Sequence, residues 1–183
     1  MAKNFQIAII TILILLSIYL FNQNMQKKYI SKEEAVLEID LNLITSFTIT
    51  NPIDKISISK NGTIWEIVDN DTLNIKQRSI DMFFDKVLTV KKETLISKSK
   101  EKWGIYSVHD TNATHLSLFD NKNNILADFY IGQSKSNYAN SYIRINDDQN
   151  VYLTSENIFY YINPNLNYWG ENSSADSLMQ NEM

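Results

Sequence analysis

The segment DKISISKNGTIWEIVD, residues 54–69, does more than any other to limit what this chain can become. Apolar and polar residues alternate on both sides of Asn61-Gly62, and a period of two is the signature of a strand with one buried face. Asn and Gly both tolerate positive φ, so Asn61-Gly62 predicts a two-residue hairpin with a type I′ turn. That turn sets Lys60 against Thr63, Ile58 against Trp65 and Ile56 against Ile67. Ile56, Ile58, Trp65 and Ile67 then share the core face; Ser57, Ser59 and Glu66 take the other, with Ile64 the exception. A slip of one residue would bury the serines, so turn and pattern agree.

The same period recurs along the chain. ITSFTIT (44–50) places Phe47 and Ile49 on one side, and 114–132 reads as a second hairpin around 121–124. In that hairpin Leu118 stands opposite Ala127 and Leu116 opposite Phe129. TLISKS, SYIRIN and NVYLTS predict three more strands. Within 74–92 the spacing changes. Ile80, Phe83, Phe84, Val87 and Leu88 recur at i, i+3, i+4, i+7 and i+8, which predicts one amphipathic helix. Asn74 and Gln77 resemble its capping box, and Lys91 and Lys92 suit its C-terminal dipole. Ser155 is placed to cap a short helix in ENIFYYIN. The fold class expected is α+β: antiparallel β-hairpins with one main amphipathic helix over 45–168, then a polar tail, 169–183, expected to be disordered.

Ahead of this domain, residues 4–26 carry no charge, and their apolar centre runs from Phe5 to Phe21. At ~1.5 Å rise per residue, about 20 such residues match a ~30 Å hydrocarbon layer, and a helix pairs its own backbone groups there. Residues 1–26 are therefore expected to be a single N-terminal transmembrane helix that meets the membrane through 5–21. A cleaved signal peptide is the competing reading, but the apolar run is long and its exit lacks an A-x-A-like site. Residues 27–44 read as a juxtamembrane connector with helical character around SKEEAVLEIDL. Lys27, Lys28 and Lys32 after the span favour a cytoplasmic C-terminal side. A single N-terminal anchor of signal type favours the opposite. The expectation is an inner (plasma) membrane protein with an extracytoplasmic domain.

Charge and composition exclude several functions. Net charge is −4, with all 21 acidic residues and all but Lys3 of the 17 basic ones after the uncharged run. Broad nucleic-acid binding needs a basic surface, so no nucleic-acid partner is expected. The absence of cysteine removes disulfides, thiolate metal sites and a lipoprotein anchor. With two histidines and no metal-ligand spacing, no metal or cofactor is expected. Gly132-Gln-Ser-Lys-Ser lacks the second glycine and the following helix of a phosphate cradle, and reads as a strand-connecting loop. His115, Ser117 and Asp128 fall on one face of the second hairpin, and a hydrolase using them is the enzyme alternative. A flat strand offers neither an exposed nucleophile turn nor an oxyanion hole, so a solvent face is preferred. A small-ligand or glycan binder using Tyr138, Tyr142 and Trp169 is a further alternative. Lys86, Lys91, Lys92, Lys98, Lys100 and Lys102 form a locally basic stretch, read as a solvated helix end and strand edge.

The order of motifs resembles a family. GTIWEI, a helix, WGIYSV, FYIGQ, SYIRIN and NVYLTS follow one another as in the bacterial domain-of-unknown-function family 4340, over about residues 45 to 165. The family pattern falls on Trp65, Gly104, Gly132, Tyr142, Arg144, Val151 and Tyr152. Trp103 stands where the family usually has tyrosine, and the proline that often follows the pivot is missing. The resemblance implies a membrane-anchored, extracytoplasmic α+β module without assigned catalytic residues. Some relatives are associated with ABC-transporter components or gliding-motility auxiliary proteins. The function expected is a non-enzymatic binding or scaffolding module whose partner is another envelope or membrane protein.

Overall fold

A computed structural model describes residues 2–27, 30–135 and 137–172. Its strands are β1 (Ile30–Ala35), β2 (Ser46–Thr50), β3 (Lys55–Asn61), β4 (Ile64–Ile67), β5 (Leu73–Ile75), β6 (Lys91–Ser97), β7 (Thr114–Phe119), β8 (Ile125–Gln133), β9 (Ser141–Ile145), β10 (Val151–Thr154) and β11 (Gly170–Asn172). The helices are α1 (Ala2–Lys27), α2 (Gln77–Met82) and α3 (Leu166–Trp169). Among the described residues, nine strands form one sheet in the order β1-β6-β10-β9-β8-β7-β2-β3-β4, and β5 pairs with β11. Neighbours run antiparallel throughout. The architecture is α+β, as the alternating patterns demand.

Directly opposed residues share a face. Phe47 faces Ile58 and Leu118, Ile49 faces Ile56 and Leu116, and Leu116 faces Phe129. All seven residues are buried. On this face Phe47 stacks on Phe83 at 4.1 Å and meets Trp65 and Trp169 at 5.7 and 5.4 Å, so the core is built around four aromatic rings. Residues between β1 and β2 add Val36 and Ile44 to it. The opposite face carries Thr48, Ser57, His115, Ser117 and Asp128.

The second hairpin has the expected register, Leu118 against Ala127 and Leu116 against Phe129. The first slips by two. Asn61 faces Ile64, Lys60 faces Trp65 and Ile58 faces Ile67. The turn pair is thus Gly62-Thr63, with positive φ only at Gly62 (63°), the type II′ arrangement. A slip of two preserves both faces, so Ile56, Ile58, Trp65 and Ile67 stay buried.

The expected helix shortens from both ends. Asn74 lies in β5 opposite Glu171, so no capping box forms; Lys76 is the N-cap without a side-chain capping bond, its Nζ donating to Asn167 O instead. Lys91 and Lys92 begin β6. What remains is α2 and one π-helical turn, Phe83–Val87, and the stripe still buries Ile80, Phe83, Val87 and Leu88. The connector expected to be helical supplies β1 instead, because β6 offers an open edge. Ser155 caps no helix: its Oγ accepts from Lys91 N–H, and Phe159–Tyr161 forms a 3-10 turn. The polar tail begins later than expected. Trp169 is fully buried and Gly170–Asn172 pair with β5. The rest of that tail, 173–183, lies outside the described residues.

Side chains of α1 are described for residues 6, 7 and 9–23, and every one is exposed. Among the described residues, no helix is long and apolar enough to cross a membrane.

Candidate functional site

Away from the core, cross-strand pairing lines up one side chain from each of three strands. His115 (β7) faces Tyr130 (β8), and Tyr130 faces Arg144 (β9). The rings of His115 and Tyr130 stack at 4.3 Å and 11°. The Arg144 guanidinium lies 3.6 Å from the Tyr130 ring centre and 3.9 Å from that of Trp103, which comes from the β6–β7 connection. A planar, weakly hydrated guanidinium suits this position between two aromatic faces.

Arg144 is 1% exposed and fully partnered. Its Nε donates to Val108 O at 3.0 Å, Nη1 to Asn146 O at 2.8 Å, and Nη2 to the Asp110 carboxylate. Asp110 remains 62% exposed, so the buried charge meets its counter-ion at the surface. One side chain thereby clamps the β6–β7 connection onto the sheet. Trp103, Val108 and Val151 form a small second core there, with Tyr106, Tyr130 and Tyr142 packed against it.

Most of the residues that carry the family resemblance meet at this clamp. Gly132 lies beneath the connection: a Cβ there would stand 2.0 Å from Tyr106 O and 2.8 Å from Ser107 O, so only glycine fits. Tyr142 packs edge-on against Tyr106 at 5.0 Å. Trp65 and Tyr152 belong to the main core instead, Tyr152 beneath the Lys92 ammonium at 5.5 Å. Nothing in the surroundings of Gly104 requires glycine. The partners of Arg144 went unread in the sequence because Asp110 and Trp103 reach it only through a long connection. A strand arginine on the same face as Tyr142 was the available signal.

His115, Ser117 and Asp128 do come together. His115 Nε2 lies 3.1 Å from Asp128 Oδ1 and 3.3 Å from Ser117 Oγ. Both partners address the same ring nitrogen. A proton relay needs the carboxylate on one nitrogen and the hydroxyl on the other. The cluster is a half-buried polar network on a strand face, beside a shallow depression of about 220 Å³ lined by Ile125 to Asp128, Tyr130, Asn146 and Asp147. Burial, and then the Asp110 charge, push the Tyr130 phenol above its usual pKa. Among the described residues, no three His, Cys, Asp or Glu side chains converge as a metal site.

The three aromatics considered for a glycan do not form one surface: Tyr138 is exposed, Tyr142 half-buried and Trp169 fully buried in the main core. The 133–140 loop is held by its own polar groups. Asn140 Nδ2 donates to Glu93 Oε2 at 3.1 Å and to Thr154 O at 2.6 Å, and Ser134 Oγ accepts from Asn137 N–H at 3.1 Å. The loop joins two antiparallel strands. Nor is the lysine stretch a single patch, since Lys86 pairs with Asp85 and Glu156, and Lys92 with Glu34.

A family model described as a domain of unknown function, DUF4340, matches residues 65–176. No curated protein and no solved structure matches the chain.

Proposed function

The chain belongs to the DUF4340 family, whose model spans more than half of its 183 residues, and from that premise we propose a single-pass, membrane-anchored envelope protein. Its β-rich domain is a non-enzymatic binding or scaffolding module, extracytoplasmic, with another membrane or envelope protein as partner, a transporter component among them.

The observation that carries this proposal is α1. It is 26 residues long, about 39 Å at ~1.5 Å per residue, and its sequence is uncharged from Asn4 to Gln26. Every described side chain on it is exposed, including Ile7, Ile10, Leu13, Leu16 and Phe21, so the domain gives these residues no cover. The described residues of α1 do not by themselves amount to a membrane-crossing helix, so the anchor rests on the uncharged run of residues 4–26, whose uncovered apolar side chains lipid would accommodate. Support for a non-catalytic domain comes from His115, whose single nitrogen serves both Ser117 and Asp128.

Alkaline carbonate extraction of membranes from cells expressing the full chain tests the anchor. The chain is expected in the pellet, and the double variant Leu13→Asp, Leu16→Asp in the supernatant. Release of the unaltered chain into the supernatant refutes the anchor. A C-terminal reporter active only after export then tests the side of the membrane.

A further inference from the structure

We infer that the end of the sheet where β6 finishes at Ser97, with the β9–β10 turn beside it, stands at the bilayer surface, held there by β1. The inference rests on the anchor proposed above and adds the orientation of the domain to it.

The direction of β1 decides the matter. Ile30 pairs with Thr94 and Ala35 with Lys91, so β1 runs antiparallel to β6 along the sheet edge. Going backwards from Ile30 therefore means going forwards along β6, towards Ser97. Only two residues separate Ile30 from the end of α1 at Lys27, a reach of about 10 Å even when extended. Ser97 lies three residues past Thr94, again about 10 Å. The helix thus leaves the sheet beside the point where Lys98, Lys100 and Lys102 begin. Val151 pairs with Ser97, which puts the β9–β10 turn at the same end.

The opposite end is turned away by the length of a strand. There lie the β2–β3 turn with Ile53, which is 89% exposed, and the loop with Tyr138, which is 69% exposed. Two contacts hold β1 in place at that end: Val36 N–H donates to Val90 O at 3.0 Å, and Glu34 pairs with Lys92 at 3.3 Å. The membrane-facing end is of mixed charge, with Glu101, Asp147 and Asp148 among the lysines. Strand pairing, not charge, sets the distance.

The chain contains no cysteine, so single labels can be placed without background. Full-length variants Lys98→Cys, Lys100→Cys, Ile53→Cys and Tyr138→Cys, each carrying an environment-sensitive fluorophore, are reconstituted into phosphatidylcholine vesicles containing a headgroup spin label. Labels at 98 and 100 are expected to be quenched at least twofold more than those at 53 and 138. A disulfide between Glu34→Cys and Lys92→Cys, which closes β1 onto β6, should leave the 98 and 100 signals unchanged. Chain that floats with the vesicles but shows equal quenching at all four sites overturns the orientation and leaves the anchor standing. Chain that does not float overturns both.

Discussion

Replacing Arg144 by lysine separates the worth of a buried charge from the worth of its shape. The guanidinium reaches three acceptors on two chain segments and fills the gap between Trp103 and Tyr130. An ammonium keeps the charge but cannot span Val108 O and Asn146 O together, nor lie flat between two rings. Each charged hydrogen bond to a backbone carbonyl contributes about 1.5–3 kcal/mol, and each ring contact ~0.5–1 kcal/mol. The bond to Asp110 adds little, about 0–1 kcal/mol, because that carboxylate is 62% exposed. Arg144→Met, which keeps much of the volume, should therefore cost roughly 4 kcal/mol and Arg144→Lys about 3 kcal/mol. At ~2–4 °C per kcal/mol for a domain of this size, both lower the melting temperature by about 10 °C. Urea unfolding of the full chain followed by tryptophan fluorescence measures both variants. If Arg144→Lys lies within about 0.5 kcal/mol of the unaltered chain while Arg144→Met does not, charge alone holds the connection and the clamp argument fails.

Three further outcomes follow from the same geometry. Gly132→Ala should destabilise by more than about 3 kcal/mol, because its Cβ would meet backbone oxygen at 2.0 Å, whereas Gly104→Ala should be neutral within ~0.5 kcal/mol; equal effects in thermal melts would sink the steric reading. The Tyr130 phenol binds its proton more tightly folded than unfolded, so its contribution is complete below the unfolded pKa of about 10 and is lost as pH rises above that through the higher folded value. Tyr130→Phe should flatten stability against pH in that window, and an unchanged slope contradicts the burial assignment. His115→Ala removes a half-buried network and a ring stack, and should cost about 1 kcal/mol in the same unfolding assay; a loss above ~3 kcal/mol would mean the histidine is structural in a way its contacts do not explain.

Local pattern carried the strands well. Alternation placed Phe47, Ile49, Leu116, Leu118 and Phe129 on the core face, where they lie. Even the misplaced turn did little harm: a hairpin register wrong by two keeps every side chain on its own face, and only the identity of the turn residues changes. Helix limits were less legible. The apolar stripe from Ile80 to Leu88 is local information, but Asn74 and Lys91 are claimed by β11 and by β1 and β10, strands about a hundred, sixty and sixty residues away. At the candidate site, Ser117 against Asp128 was readable from one hairpin. Arg144 as a clamp was not, since Val108 and Asp110 lie more than thirty residues before it and no period links them.

The strand order also imposes a timetable. β6 takes its place beside β10, which follows about 50 residues later in the chain. At ~5–20 residues per second on the ribosome, β6 waits for seconds with one edge paired to β1 and the other open. An open edge invites pairing with another chain, and charged side chains along it are the usual deterrent. Lys91, Lys92 and Glu93 open β6 and Lys98 follows it, so the nascent strand is marked by charge while its neighbour is still being made. The Arg144 clamp closes only once β9 exists, which delays the docking of residues 103–110 until about 35 residues beyond them have been made.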